Sequence, residues 1–419
     1  FVVVSYIMLW NSYGLDAKNH PHMTVAYFVF AYVLYKTAYT MIAVPHTAML
    51  PELAPDYNLR TQYNSIGYLF NSAGMIPSFG IVVLVLALFD SSDNLTSQSK
   101  TPFLIIGIVL AAFFCVAVFL TFKNTREPSS LDYHFEPLDV KYVIREYILV
   151  FKNKSFRQYF FIGMFYSFAK NFYGDADQIF MRSVADKYSH FAVLQTIAGV
   201  AEIAGGPFNY FLSRYMDKRF CGLALTPFMI AGLLINGFAT PSTPVFFIYL
   251  ASILYNFGFS GPGFVVNNIQ PDVTDVDELI TGRRREGVIA TFNSFLKKTS
   301  LSISSGALGY MLFYMGYDVN NPSYEMLSGT AELGIRLAVS WLPAIFMAIS
   351  LSLTFRYKMR KRDHEVIQRV IKEKHETGTC DISYSDKKRL EDIAGQKWED
   401  MWIGRSGEVE RKLEEVNGI

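Results

Sequence analysis

Seven ionisable side chains lie within segments that are otherwise apolar and long enough to cross a membrane. They are Lys36, Lys170, Asp175, Asp177, Glu202, Lys297 and Lys298. Placing a charge at the centre of a bilayer costs from about 3 to more than about 10 kcal/mol, so such residues are by default candidates for binding a substrate or an ion. The chemistry to expect is therefore reversible binding of a polar solute or a cation inside a membrane.

The apolar residues of the chain are grouped in blocks of membrane length. Of the 419 residues, 51% are hydrophobic and 18% are charged, whereas an average soluble chain is about one-quarter charged. A membrane span needs about 20 mainly apolar residues, and nine segments meet that need after an apolar stub, Phe1 to Trp10. These segments are 24–50, 65–89, 102–122, 158–181, 190–213, 222–239, 244–270, 288–314 and 331–355. They predict an all-α membrane protein in contact with the lipid bilayer.

Composition and motifs exclude several classes of function. The net charge of +1 provides no basic field for nucleic acid, and the three cysteines lack the spacing of a disulfide scaffold or a zinc site. There is no P-loop, GxSxG, HExxH or glycine-rich dinucleotide motif, so we expect no enzyme activity, no cofactor and no metal. A carrier without ATP-hydrolysing machinery must draw on an ion gradient or on the gradient of its own solute.

The charged segment 123–157 contains Pro128 and Pro137 and is predicted to link two helix bundles, residues 1–122 and residues 158–356. Six spans follow the linker, while four precede it if the stub is counted. Many transporters pair two similar bundles around a site near the bilayer midplane. On that plan we expect a chain that lacks roughly its first two helices, with Phe1 inside a truncated third helix. The first bundle would then hold helices 3–6 and the second helices 7–12.

Residues 357–419 are predicted to form a polar tail with an amphipathic helix. Its apolar stripe consists of Leu390, Ile393, Ala394 and Met401 with the pair Trp398 and Trp402. The economical interpretation is a helix that lies on the inner membrane surface. Docking against the inner face of the protein is the alternative, and the sequence does not decide between them.

The distribution of Lys and Arg predicts the orientation, because inner loops retain an excess of both residues. If the tail is cytoplasmic, the inner connections hold 19 of them and the outer connections hold four. We therefore expect a multi-pass protein of the plasma (inner) membrane with its C-terminus in the cytoplasm. We also expect a monomer.

Two motifs carry a resemblance to a known family. Segment 272–287 has the sequence DVTDVDELITGRRREG, and segment 39–51 has the sequence YTMIAVPHTAMLP. They resemble the inner loop and the fourth helix of the glycoside-pentoside-hexuronide:cation symporters, the melibiose permease family within the major facilitator superfamily. The resemblance covers nearly all of the chain to about Arg362. It implies two six-helix bundles that transport a sugar or glycoside with Na⁺ or H⁺ by alternating access.

The resemblance also implies roles for particular residues. Lys298 takes the place of a lysine tied to substrate and cation coupling, and Tyr39 that of a tyrosine in the sugar cavity. A cytoplasmic gate that pairs charges across the two bundles would include Arg60, Asp272, Asp275, Glu278, Arg284 and Glu286. Two positions depart from the pattern: Ala43 replaces an aspartate of the sugar and cation site, and Tyr68 replaces an arginine.

Helical spacing suggests further candidates. Lys36, Tyr39 and Ala43 share a face, and a positive Lys36 would suit an anionic sugar such as a hexuronide. We count Lys36, Tyr68 and Asn171 as substrate-binding candidates beside Tyr39 and Lys298. Asp175 and Glu202 are candidates for cation or proton coupling with Lys298. Asn171 and Asp175 share one helix face, whereas Lys170 and Asp177 share another, and only one face is expected to line the path.

Two rival functions remain at this point. The lower polarity at Ala43 and Tyr68 would tolerate an acyl chain, which favours a lysolipid carrier of a related branch. A membrane protein that binds a ligand and signals through its tail is the rival from another class.

Overall fold

The computed structural model describes residues 1–15, 19–48, 101–125, 147–283, 285–319 and 322–405, together with Arg145 and scattered positions between 66 and 85. The side chains of 44–48 and of Lys218, Glu286 and Lys361 lie outside this description. All regular secondary structure in the described residues is helical. The chain divides into two compact units, Phe1–Phe135 with Ser189–Val200 and Glu136–Tyr188 with Ala201–Ile419.

The first unit contains three described helices: α1 (Val2–Leu9), α2 (Pro21–Ala48) and α3 (Thr101–Asn124). Helix α2 begins at a proline, whose missing N–H costs nothing in the first turn of a helix. Helix α1 packs on both of the others. Its end is tied to α2 by the hydroxyl of Tyr27, which lies 2.9 Å from the carbonyl oxygens of Met8 and of Asn11.

The second unit is a bundle with a docked tail. Its helices are α4 (Lys154–Ser183), α5 (Phe191–Leu212, which starts in the first unit), α6 (Lys218–Phe238), α7 (Val245–Thr281), α8 (Glu286–Tyr314), α9 (Gly329–Arg336), α10 (Leu342–Arg356), α11 (Lys361–Thr377) and α12 (Tyr384–Ala394). A π-helical turn, Leu337–Trp341, joins α9 to α10. We call the end of the bundle that carries α11 and α12 the tail end.

Six stretches of the described residues are long and apolar enough to cross a membrane. They are Pro21–Ala43, Thr101–Asn124, Tyr188–Leu212, Arg219–Phe238, Val245–Thr281 and Gly329–Arg356. Each falls on a predicted span. The predicted spans 158–181 and 288–314 are also helical, as α4 and α8, but they are too polar to belong to this apolar group. The predicted span 65–89 lies largely outside the described residues.

Helix α7 corrects one boundary. The predicted span 244–270 was expected to end near Gln270, but the helix continues through Pro262 and Pro271 to Thr281. A proline removes only one backbone hydrogen bond and can be accommodated where surrounding packing supports the helix. Here the tail packs against the extension, and Gly282 ends the helix with a φ of 71° and a 2.7 Å bond to the carbonyl of Glu278.

Close backbone contact joins α6 to α7. A Cβ added to Gly258 would lie 2.3 Å from the backbone nitrogen of Met229, and one added to Gly232 would lie 2.6 Å from the carbonyl oxygen of Ala251. Small residues let helices approach this closely inside a membrane. These two glycines therefore set the distance between the two helices.

We expect Gly258→Ala to destabilise the protein by about 1–3 kcal/mol, because the new methyl group meets backbone rather than a movable side chain. Gly306→Ala is the matched control, since a Cβ there meets no described atom within 4 Å and alanine is the better helix former. Thermal unfolding of the purified protein in detergent measures both. Equal melting temperatures for the two variants would contradict the close α6–α7 packing.

The tail docks on protein, which corrects the expectation of a surface helix. Leu390, Ile393, Ala394 and Met401 are all buried, in one apolar cluster with residues of α4, α7 and α11. The apolar stripe that was predicted to face lipid therefore packs against helices of the second unit. Docking against the protein was the alternative that the sequence left open. The packing of α12 and of residues 398–403 supports docking.

Charged contacts reinforce the docking. The Asp392 carboxylate lies 2.8 Å from Lys154 Nζ and 2.6 Å from Lys358 Nζ, and hydrogen bonds from these two lysines hold the pKa of Asp392 below its ordinary value of 3.8. The pKa of Asp392 is thus lower in the folded protein than its ordinary value of 3.8. The two lysine–carboxylate contacts therefore stabilise docking fully above pH 3.8, and this stabilisation is lost as the pH falls through the lowered pKa. Arg389 forms a further pair with Asp363, whose hydrogen bonds raise the pKa of the guanidinium.

Candidate functional site

Helices α4 and α8 pack together and carry charged residues where they meet. The Asp175 carboxylate accepts a 2.6 Å hydrogen bond from the Ser305 hydroxyl, and Lys297 interacts electrostatically with Lys170. With 30 and 29 residues both helices are long enough to span a bilayer. Charged residues in such helices normally face the bundle interior or a water-filled cavity. The α4–α8 pair is therefore the candidate polar wall of the second bundle.

A column of aromatic rings runs between α4 and α7. Tyr173 stacks on Tyr255 at 3.6 Å between ring centroids, Tyr255 on Phe259 at 5.5 Å, and Phe259 on Tyr166 at 4.8 Å. The ammonium of Lys170 lies 5.7 Å from the centre of the Phe259 ring, which is within cation–π range. The column thus places aromatic rings beside a positive charge. A sugar ring can stack on an aromatic face while its oxygen atoms accept hydrogen bonds from an ammonium.

A polar bridge connects three helices nearer the tail end. The side-chain oxygen of Gln270 accepts hydrogen bonds from the Asn293 amide at 2.8 Å and from the Tyr159 hydroxyl at 3.3 Å. Tyr159 is on α4, Gln270 on α7 and Asn293 on α8. The bridge fixes the relative positions of these helices one turn before Lys297.

Among the predicted coupling residues, Lys298 is exposed on α8, and its backbone carbonyl accepts a 3.1 Å bond from Ser302. Asn171 is half-buried on α4. Glu202 is half-buried on α5 and interacts electrostatically with Tyr255. Asp177 is buried, whereas Asp175 is half-buried. Asp177 and Glu202 both interact electrostatically with Tyr255, whereas Asp175 contacts Ser305. The roles of these residues stay predictions.

Two predicted substrate residues lie on α2 of the first unit. Lys36 Nζ is 5.2 Å from the ring centre of Tyr32 and 5.9 Å from that of Tyr35, and Tyr39 is exposed beside Tyr35. The exposed Lys36 ammonium therefore lies within cation–π range of two aromatic rings. Its proposed role toward an anionic sugar stays a prediction.

The predicted gate carboxylates lie on the extension of α7 and face the tail. His364 Nε2 is 2.7 Å from Asp275 Oδ2 and 3.8 Å from Asp272 Oδ1, and His375 Nε2 is 3.3 Å from Glu278 Oε1. Burial raises the pKa of Tyr357, just beyond the last span, well above its usual range, and the charge of Asp272 raises it further. The same carboxylates assigned to a gate are thus also contacts of the docked tail.

Arg60, Tyr68 and Arg284 lie outside the described residues, as does the side chain of Glu286. Pairing across the two bundles is therefore untested for the predicted gate. The role of Glu286 also stays a prediction, although α8 begins at this residue.

A buried ion pair next to the predicted gate was not foreseen from the sequence. Arg285 forms two 2.8 Å bonds to the two carboxylate oxygens of Asp277, and the side chains are 9% and 1% exposed. The two residues bracket the turn between α7 and α8. Three consecutive arginines and four nearby carboxylates were the available signal, but spacing alone could not select this pair.

The helical fold and its charged interior define the class: a multi-pass integral membrane transporter. The chain belongs to the MFS/sugar transport protein family, whose model matches residues 1–361. The predicted fold of the major facilitator superfamily is therefore confirmed, and the protein is a transporter rather than an enzyme. The bundle boundaries and the two helices expected before Phe1 stay predictions.

Curated relatives are similar over most of the chain. The uncharacterized symporter sll1374 of Synechocystis is 24% identical over 82% of this chain and 76% of its own length. YagG of Escherichia coli, named as a glycoside/cation symporter by assignment, is 23% identical over 82% of this chain and 72% of its own length. The isoprimeverose transporter of Lactiplantibacillus pentosus is 23% identical over 81% of this chain and 69% of its own length.

Solved structures were also matched. The crystal structure of the major facilitator superfamily transporter FucP in the outward conformation is 15% identical, with a TM-score of 0.44, over 85% of this chain and 83% of that chain.

Proposed function

We propose that the protein is a secondary active transporter that carries a sugar or glycoside together with Na⁺ or H⁺ by alternating access. The observation that carries the proposal is the family match over residues 1–361, supported by the glycoside and isoprimeverose transport in the names of two relatives. The polar wall of α4 and α8 supplies the intramembrane charge that such coupling requires. The protein would lie in the plasma (inner) membrane with the tail end in the cytoplasm.

The second bundle offers a place for the sugar. Tyr166, the half-buried ring of the aromatic column, would provide a stacking face, and Lys170 and Lys297 would provide donors. We propose that Tyr39, Lys36, Tyr68 and Asn171 also contact the sugar, and that Lys298 couples sugar binding to cation binding. The family resemblance and helical spacing support these roles. Lys36 and these two lysines would favour a sugar that carries a carboxylate.

The inner gate would close through Asp272, Asp275 and Glu278 with Arg60 and Arg284. The tail would be a further part of this gate, because His364 contacts Asp275 and His375 contacts Glu278 in the described conformation. Opening the inner side would then require these contacts to change as well.

Exchange of solute by the purified protein in liposomes tests the substrate class. Vesicles loaded with isoprimeverose, methyl β-glucoside or methyl β-glucuronide are diluted into a trace of the same labelled sugar, and unlabelled sugars and lysophosphatidylcholine compete. We expect exchange that is inhibited by glycosides, most strongly by the glucuronide. Competition by lysophosphatidylcholine alone would favour a lysolipid carrier, and binding without exchange would favour a sensor.

A further inference from the structure

A basic cleft of about 1230 Å³ lies at the tail end of the second unit. Lys358 and Arg360 line it from the link between α10 and α11, and Arg362 lines it from the start of α11. Lys388 of α12 and Lys397, which follows α12, line it as well. The docked tail therefore completes the cleft, because the residues that follow the last span could not enclose it alone.

The lining of the cleft is positive, with six basic and four acidic side chains. Two of the acids are held by strong contacts with basic residues. Asp392 lies 2.8 Å from Lys154 Nζ and 2.6 Å from Lys358 Nζ, and Asp363 accepts two hydrogen bonds from the Arg389 guanidinium. These carboxylates are therefore already neutralised by partners within the protein.

The other two acids of the cleft also have partners. Glu391 accepts a 2.8 Å hydrogen bond from the backbone N–H of Trp398, and Asp386 lies 3.5 Å from the Arg362 guanidinium. The negative charge that lines the cleft is thus directed to other contacts.

Three cations of the cleft remain for a ligand. Arg360, Lys388 and Lys397 are exposed and form no ion pair with the residues that the structure describes. They come from three separate segments, and packing of the tail brings them to one cleft. An anion that bound there would relieve the repulsion between the three positive charges.

The cleft begins at the depth of the lipid headgroups. Helix α10 ends at Arg356, the last residue of a stretch long and apolar enough to cross a membrane. Lys358 is two residues further on, so it lies at most about 7 Å beyond the span, and each headgroup layer is about 5–8 Å thick. An excess of basic residues is expected at the inner end of any span, but topology alone does not require a cleft that a docked helix encloses.

We propose that the basic cleft binds the phosphate headgroup of an anionic glycerophospholipid, such as phosphatidylglycerol, through Arg360, Lys388 and Lys397. A basic residue near a membrane surface strengthens binding to anionic lipid by about fivefold. The bound headgroup would join the tail to the end of the last span, so anionic lipid would stabilise tail docking. The proposal requires only that the protein lies in a membrane, and it is independent of the proposed sugar transport.

Titration of phosphatidylglycerol into the purified full chain in a neutral detergent tests the proposal. We expect a saturable rise in melting temperature that phosphatidylcholine does not produce. The triple variant Arg360→Gln, Lys388→Gln, Lys397→Gln should weaken the apparent affinity by at least about tenfold. Its melting temperature without lipid should be unaltered, because the three side chains are exposed and unpaired among the described residues.

A matched control removes the same charge outside the cleft. The triple variant Lys152→Gln, Arg369→Gln, Lys372→Gln changes three exposed residues that do not line it, and it should bind phosphatidylglycerol as the unaltered protein does.

A second variant keeps the charge of the cleft while it changes the side chains. Arg360→Lys, Lys388→Arg, Lys397→Arg should retain affinity to within about threefold, which separates recognition by charge from damage to the tail.

Three results would overturn the proposal. The first is a melting temperature that phosphatidylglycerol does not raise, or that phosphatidylcholine raises equally. The second is an equal loss of affinity in the two glutamine triples, which would assign the effect to surface charge in general. The third is an equal rise with inorganic phosphate at the same concentration, which would assign the cleft to a soluble anion. Failure of sugar exchange in liposomes would refute the proposed substrate class and leave the lipid result unaffected.

Discussion

Replacing Arg285 with alanine is expected to destabilise the protein by about 3–5 kcal/mol, one of the largest effects of any single substitution considered. The reason is that Asp277 is 1% exposed and would lose both 2.8 Å bonds to the guanidinium. A buried carboxylate that loses a charged partner remains ionised only at a higher free-energy cost, or takes up a proton. Thermal unfolding in detergent measures the loss, with the α7–α8 turn the first region to become accessible to protease.

Two controls separate the buried pair from charge effects in general. Lys372→Ala breaks an exposed pair with Glu376, in which the atoms are 3.9 Å apart, and should change stability by less than about 1 kcal/mol. The double variant Asp277→Asn with Arg285→Gln removes both charges and should recover part of the loss. An Arg285→Ala variant as stable as Lys372→Ala would show that the pair is not buried in solution.

Met401→Asp is expected to detach the tail from the second unit. Met401 is 0% exposed in the apolar cluster shared by the tail, α4 and α7, and a carboxylate at that position would cost about 3 kcal/mol or more if the tail stayed docked. The tail should therefore undock, which exposes the apolar side of the α7 extension and releases His364 and His375 from the carboxylates. Limited proteolysis of the tail and the melting temperature report the change.

Tyr384→Asp adds the same charge to the same tail at a side chain that is 81% exposed. It should leave both the protease pattern and the melting temperature unaltered. If Met401→Asp also leaves the tail resistant to protease, then the apolar stripe does not hold the tail against the bundle, and the surface-helix interpretation regains support.

The spans were predictable from the sequence because each needs only a local run of apolar residues. The extension of α7 was not, because residues 272–281 are rich in charge and follow Pro271, both of which indicate the end of a span. What stabilises the extension is a tail that lies about a hundred residues further along the chain. Local pattern contains no information about that contact.

The candidate site was predictable in its residue types but not in its arrangement. Helical spacing assigned Asp175 and Asp177 to different faces of α4, yet only the packing of the bundle shows that Asp177 is the buried one. Similarly, the sequence selected Lys298 through a family resemblance, while in the structure the adjacent Lys297 is the lysine that interacts electrostatically with Lys170. Adjacent residues on a helix differ by about 100° in direction, so a small rotation decides which one faces a partner.

Accumulation of a labelled glycoside against its own gradient tests the proposed cation-coupled sugar transport most directly. Proteoliposomes that contain the purified full chain are given an inward Na⁺ gradient or an inward proton gradient, and internal sugar is measured with and without the ionophore that collapses each gradient. We predict accumulation above the external concentration with one of the two gradients, and its loss when the ionophore is added. Sugar that only equilibrates under both gradients, or does not enter at all, would contradict a cation-coupled sugar carrier.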